Sequence, residues 1–298
     1  MNHETDIFEI RQAVQDLSTK LDALIKRSGD SQQSDLKDDD DKVAVYSVTK
    51  NCYTILIPSI KSLLINSPVD RIYILINEPK FPFEIPKEVI PIDVSDKYLI
   101  DMTSPNYNTK YTVMCLMRLA FHRILNNENK VLSLDYDTIV NRDISDMWDV
   151  NMGRQYLIGG VPERDRTIAK IHGYFNGDDF IQMGVRKTSK DVYINAAVMM
   201  MNLRQLRDEG IGDKALELVN HEFYACPEQD ILNELCEGRR YFYDEAYNVS
   251  RFTYSPDVQK IVHFAGDDGK DVNHPLIQKY NEIPWNVISE HRKRKYGK

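Results

Sequence analysis

The chain is poor in cysteine, with four in 298 residues (Cys52, Cys115, Cys226 and Cys236), and no two of them stand at CxxC spacing. Neither a zinc framework nor a thiol redox motif fits that spacing, and the thiols read as reduced and mostly buried. Positive charge is also scarce: 38 Lys and Arg against 46 Asp and Glu leave a formal charge of −8. Neutralising nucleic-acid phosphates takes a broad basic surface, so DNA and RNA are not expected partners. No apolar run approaches the roughly 20 residues of a membrane span. The start, Met1 to Glu9, is acidic and polar, without the basic-then-apolar order of a secretory leader. The expectation is a soluble, cytoplasmic protein with at most peripheral contact at the inner membrane face.

What is present is ordinary globular composition, 42% hydrophobic and 28% charged, in a chain long enough to bury a sizeable core. Four regions differ in character. In residues 1–27, Ile7, Ile10, Val14, Leu17, Leu21 and Leu24 fall on alternating steps of three and four. This is a heptad seam that predicts a homo-oligomer through residues 7–24, or else an amphipathic helix docked on its own domain. Residues 28–42 are a polar, acidic linker whose end, Leu36 to Lys42 with Asp38 to Asp41 between, resembles an epitope tag with an enteropeptidase site. Residues 43–290 alternate strand and helix patterns. Residues 291–298 form a basic run that reads as a frayed, solvated tail, with anionic lipid head groups as its one plausible contact.

Within 43–290, Val43 to Val48 and Arg71 to Ile76 are β-branched apolar runs. Between them Ile55, Ser59, Ser62 and Leu63 share one helical face, which makes a βαβ unit. A strand at 89–94, a helix from about 111 to 125 and a strand at 130–134 continue the alternation. The predicted fold class is α/β, a mixed, mostly parallel Rossmann-like sheet flanked by helices, with its ligand site at the carboxyl ends of the strands. Val48 to Thr54 contains no glycine, which argues against a nucleotidyltransferase that wraps a triphosphate in a glycine-rich loop after its first strand. The Met199 to Met201 run reads as core packing.

The sharpest local feature follows the 130–134 strand: Asp135, Tyr136, Asp137. Two carboxylates one residue apart at the end of a buried strand need a compensating cation. Hard oxygen ligands suit Mn²⁺ or Mg²⁺, which keep positions open for substrate phosphates. Further along lie Asn195 at the mouth of an apolar strand and Glu228, Gln229 and Asp230 at a helix start. Tyr247 and Asn248 come next, and then His263 near the end of a strand. Read without those neighbours, Arg118 is a snorkelling helix residue, Glu228 and Asp230 are first-turn charges favoured by the helix dipole, and His263 is a structural histidine.

In this order the segments resemble the retaining glycosyltransferases of family 8, the group of bacterial lipopolysaccharide galactosyl- and glucosyltransferases and of glycogenin, over about residues 43–290. The resemblance implies a GT-A fold and a UDP-sugar donor, with transfer of glucose or galactose to a glycan, lipid-linked glycan or protein acceptor. It implies Asp135, Asp137 and His263 as ligands of Mn²⁺ or Mg²⁺. It places Arg118, Thr49, Asn51, Tyr136, Asn195, Ala196, Gly266 and Lys270 at the donor, Gln229 beside the anomeric carbon, and Glu228 where the family often has aspartate. Glu163 is the nearest candidate for a further sugar-contacting acid. The chain departs from the family at Thr49, Lys50 and Cys52, where acidic residues and a tyrosine are common, and at Lys270, which arrives one residue late. Because Gln229 is a poor nucleophile, front-face attack is the expected route to retention. The alternative is a catalytically silent sugar-nucleotide-binding or assembly subunit.

Overall fold

The computed structural model describes residues 41–97, 99–107, 109, 111–162, 193–251, 259–265 and 272–298. The heptad segment, Glu163, the 164–190 stretch, Gly266 and Lys270 lie outside the described residues. The first strand, β1 (Val43–Ser47), is apolar throughout because both of its faces are covered. Val43 and Val45 pack into one core layer, while Ala44 and Tyr46 pack into the other. Helix α1 (Tyr53–Asn66) returns the chain to β2 (Arg71–Ile76), parallel to β1, and β3 (Val89–Asp93) adds in parallel at the edge. Pro91 is tolerated in β3 because an edge strand has one unpaired side.

The helix expected over 111–125 is broken. Helix α2 (Val113–Leu116) passes into a 3₁₀ segment, Met117–Ala120, and then into α3 (Phe121–Ile124). Arg118 sits in the tight segment, 5% exposed, with its guanidinium drawn into the sheet. A mid-helix 3₁₀ stretch marks a turn whose geometry tertiary contacts decide. Strand β4 (Lys130–Leu134) pairs parallel with β1, and β5 (Thr138–Val140) leaves for a separate sheet.

Strands β6 (Ile158–Pro162) and β7 (Ile194–Asn202) complete the main sheet with β8 (Arg240–Phe242), in the order β3-β2-β1-β4-β7-β6-β8. Among the described strands of this sheet, only β7 runs against its neighbours. Met199, Met200 and Met201 are at most 1% exposed, as core packing requires. Helices α4 (Leu203–Asp208), α5 (Ile211–His221) and α6 (Pro227–Leu235) follow β7. A small sheet, β5-β10-β9, is made with β9 (Val249–Ser250) and β10 (Ile261–His263).

Two boundaries need correction. Asp41 and Lys42, read as linker, belong to the body: Lys42 N–H donates to Asp70 at 2.8 Å, and Arg71 pairs with Asp41 at 2.7 Å. The basic run 291–298 is not a frayed tail. After α7 (Pro275–Asn281), helix α8 (Trp285–Tyr296) carries it and ends on Gly297 at φ +71°, a left-handed C-terminal position that suits glycine. Buried Arg292 donates to the carbonyls of Leu64 at 3.1 Å and Val69 at 2.6 Å, and Lys298 donates to Pro68 at 2.7 Å. The run therefore clamps the carboxyl end of α1, where carbonyls lack helical partners and the dipole favours cations. No helix among the described residues is long and apolar enough to cross a membrane.

Candidate active site

Asp135, Tyr136 and Asp137 form the turn that carries the chain from the main sheet to the small one. Thr138 closes it, donating to the Asp135 carbonyl through its amide at 3.2 Å and its hydroxyl at 2.7 Å. The Asp135 amide donates to Ala197 of β7 at 2.8 Å, and the Asp137 carbonyl accepts from Phe264 N–H at 2.8 Å. Both carboxylates are thus pinned at the seam between the sheets. In the β5–β10 register His263 stands opposite Thr138, which brings its Nε2 to 3.5 Å from Asp137 Oδ1 and 3.9 Å from Asp135 Oδ2. One ligand atom from each of the three residues lies within 4.8 Å of the others.

Behind them Arg118 donates through Nε to Ser133 Oγ at 2.9 Å, pairs with Asp135, and approaches Glu228 Oε1 at 3.5 Å. Burial pushes the Glu228 carboxyl above its usual range, and Arg118 pulls it back only in part. For Arg118 the balance is reversed: burial lowers its pKa, but Asp135 and Glu228 raise it by more. Two carboxylates therefore meet one guanidinium, and Asp137 beyond them has, among the described residues, only His263 near it as a basic group.

Residues 43–270 match the model of Glycosyl transferase family 8. This chain belongs to glycosyl transferase family 8. Its mixed α/β sheet is the GT-A fold of its structural neighbours, and the chain spans about half or less of the length of the first relatives it matches. A putative glycosyltransferase of Haemophilus influenzae is 27% identical over 45% of this chain, an alignment that spans 38% of the relative. The bifunctional glycosyltransferase WbbM in its apo form superposes with a TM-score of 0.63 at 18% identity, over 88% of this chain and 52% of its own. The galactosyltransferase LgtC, solved with donor and acceptor sugar analogues, gives 0.54 at 17% identity over 83% of this chain and 95% of its own.

In this member of family 8 the Asp-Asp-His cluster suits a hard divalent cation on structural grounds. Asp137 is 8% exposed and its Oδ1 is buried with no hydrogen-bond partner. A buried carboxylate oxygen left so is costly unless a cation meets it. Carboxylate oxygens and one imidazole are the donor types such an ion takes.

The remaining expected residues fall into two groups. Gln229, Asn195 and Ala196 are brought together. The Gln229 carbonyl oxygen accepts Ala196 N–H at 2.7 Å, which commits one oxygen lone pair to β7. Asn195 Oδ1 accepts Ala197 N–H and Asn248 Nδ2, both at 2.9 Å. Asp230 accepts Cys226 N–H at 2.8 Å and the Tyr193 hydroxyl, so it caps the start of α6. Thr49 and Asn51 lie together after β1, Asn51 exposed on the 3₁₀ turn Lys50–Cys52. Cys52, 3.7 Å from the Thr49 hydroxyl, and Tyr136 of the acidic turn pack against the same core layer.

One residue of the site escaped the sequence reading. Ser133 orients Arg118, and its signal is a lone hydroxyl in the apolar run Val131 to Leu134. Asn248, singled out in the sequence only as part of the Tyr247–Asn248 segment and without a role, fixes Asn195.

Proposed function

We propose that this chain is a metal-dependent retaining hexosyltransferase that moves glucose or galactose from a UDP-sugar to a hydroxyl of a glycan, lipid-linked glycan or protein. The observation that carries this reading is the unpartnered, buried Asp137 oxygen beside Asp135 and His263, within the family-matched span. Asp135, Asp137 and His263 would hold Mn²⁺ or Mg²⁺. When bound, the ion supplies counter-charge to the leaving diphosphate.

The chain's own residues do the rest. Arg118, fixed by Ser133 and Glu228, orients Asp135 and adds positive charge behind the phosphates. Thr49, Asn51 and Tyr136 form the nucleotide side, with Asn195 and Ala196 along the donor sugar. Gln229, held by Ala196 N–H, presents a preorganised dipole to the sugar as positive charge develops on its ring. An amide so fixed is a poor nucleophile, so the acceptor attacks from the face the diphosphate leaves, and the leaving phosphate takes the acceptor's proton. Residues 7–24 would join copies of the chain without entering this chemistry.

The test is release of UDP from UDP-glucose and UDP-galactose with and without Mn²⁺, followed by proton NMR of the transferred linkage. Metal-dependent release with an α-linked product is expected. A β-linked product would remove the retaining mechanism, and no release from either donor would leave a silent binding subunit in its place.

A further inference from the structure

A second cleft, of about 580 Å³, shares no lining residue with the site above. It lies between α1, the β2–β3 connection and the last two helices, and its volume is that of a small-ligand site. Its walls are apolar at Ile57, Phe83, Val272, Ile277 and Trp285. Phe83 and Val272 are 44% and 39% exposed, more than a folded chain needs to leave uncovered there.

The cleft also carries polar groups that the protein does not use. The Thr54 hydroxyl, the Asn281 side-chain amide and the Trp285 indole N–H make no hydrogen bond among the described residues. Gln278 spends one amide N–H on the Val272 carbonyl at 2.6 Å, and its Oε1 stays open. Lys61 closes the floor. It is 7% exposed, its ammonium donates to the Asn281 carbonyl at 2.8 Å, and it lies 5.1 Å from the centre of the Trp285 ring. The cation thus stiffens the platform from which Trp285 and Asn281 face the cleft.

This chemistry selects among ligands. An anion is disfavoured, because the one lysine is already committed to a carbonyl and a ring and Glu84 lines the same cleft. An alkyl chain would leave four polar groups unpaired. A neutral sugar offers both complements at once, C–H faces for aromatic rings and hydroxyls for amides. Thr54, Ile57 and Lys61 share one face of α1 and span about 10 Å, and Cys52, two residues before Thr54, packs against the same core layer as Tyr136. We propose that this cleft is a carbohydrate subsite that holds acceptor glycan units remote from the reacting hydroxyl. The proposal rests on the glycan-acceptor reading above.

The experiment is saturation-transfer NMR of millimolar maltotriose, a neutral α-linked hexose chain, with the full-length protein and no UDP. Ring protons of the sugar should receive saturation. Trp285→Ala should abolish it, and Thr54→Trp, a surface change that fills the mouth, should weaken binding about tenfold or more, equivalent to at least about 1.4 kcal/mol. UDP release from the donor should not change in Thr54→Trp. If Trp285→Ala fails to fold, Thr54→Trp and Gln278→Ala decide. No saturation of maltotriose, or undiminished saturation in the folded variants, overturns the proposal. Saturation of the octyl chain but not the sugar of octyl maltoside overturns it in favour of an apolar occupant. Maltotriose held in the cleft of a protein that releases no UDP would sink the catalytic reading and leave the subsite standing.

Discussion

Two buried arginines divide the molecule into two regimes. Arg118, in the site, faces carboxylates: Asp135 and Glu228 beside it, with Asp137 one turn residue further. Arg292, in the clamp of α8 on α1, faces backbone carbonyls of Leu64, Ser67 and Val69. Burial lowers the pKa of both. Around Arg118 the carboxylates more than reverse that, whereas around Arg292 the distant acids Glu88 and Asp70 do not. The clamp satisfies the helix-end carbonyls that α1 leaves open. The site leaves buried oxygens of Asp137 and Glu228 without partners. One region spends its cation on stability, and the other keeps an anionic surplus in the folded state for something that arrives later.

If that contrast is right, substitutions in the two regions should separate activity from stability. The largest effect is expected for Asp137→Ala, which should abolish sugar transfer and metal-dependent UDP binding. Its melting temperature should hold or rise, because the change removes a buried carboxylate oxygen that has no hydrogen-bond partner. Retained activity with unchanged metal dependence would break the site half of the comparison.

Arg292→Met should do the opposite. Loss of a charged donor to several buried carbonyls should cost about 2–4 kcal/mol, a drop of about 5–15 °C in melting temperature for a body of this size. Activity per folded molecule at low temperature should not change. An unaltered melting temperature would show that water replaces the guanidinium and that the clamp is ornamental.

Gln229→Ala should lower kcat by about 10- to 1,000-fold with UDP affinity little changed, as for loss of one preorganised dipole. Gln229→Glu keeps an acceptor for Ala196 N–H, so the fold should hold while a glycosyl-enzyme does not accumulate. Trapping of such an intermediate by mass spectrometry would replace front-face attack with double displacement.

The smallest effect sharpens the electrostatic side. Glu228 has a folded-state pKa above its ordinary value of 4.5, chiefly through burial. The folded protein therefore holds that proton more tightly than the unfolded chain does. Its favourable contribution is greatest at low pH and is lost as pH rises through the carboxylate range to the raised value. In metal-free protein, Glu228→Gln should flatten stability against pH in that window and raise the melting temperature at neutral pH. An unchanged slope would mean that Arg118 neutralises Glu228 fully.

Particular elements show what could be read from the chain alone. Strands β1, β2 and β4 were legible to within a residue because burial on both faces writes a continuous apolar run. The antiparallel β7 was found as a strand but not in its direction, since direction depends on which neighbours it meets. Strands β6 and β8 carry glycine or polar residues, Gly159 and Gly160 in one and Arg240 in the other, and were not read at all. The Asp135–Asp137 pair was legible because its unusual chemistry is local to three residues.

What the sequence by itself determined, then, is whatever depends on neighbours in the chain: strand periodicity, the helical face of α1 and the acidic turn after β4. The tertiary structure alone decided the 3₁₀ break at Arg118, the lock on Gln229, the pairing of Asn195 with Asn248 and the role of Arg292. Each of these is a hydrogen bond or ion pair between residues far apart in the chain. Such a bond's worth comes from burial, and burial exists only once the sheet and its helices have closed around it.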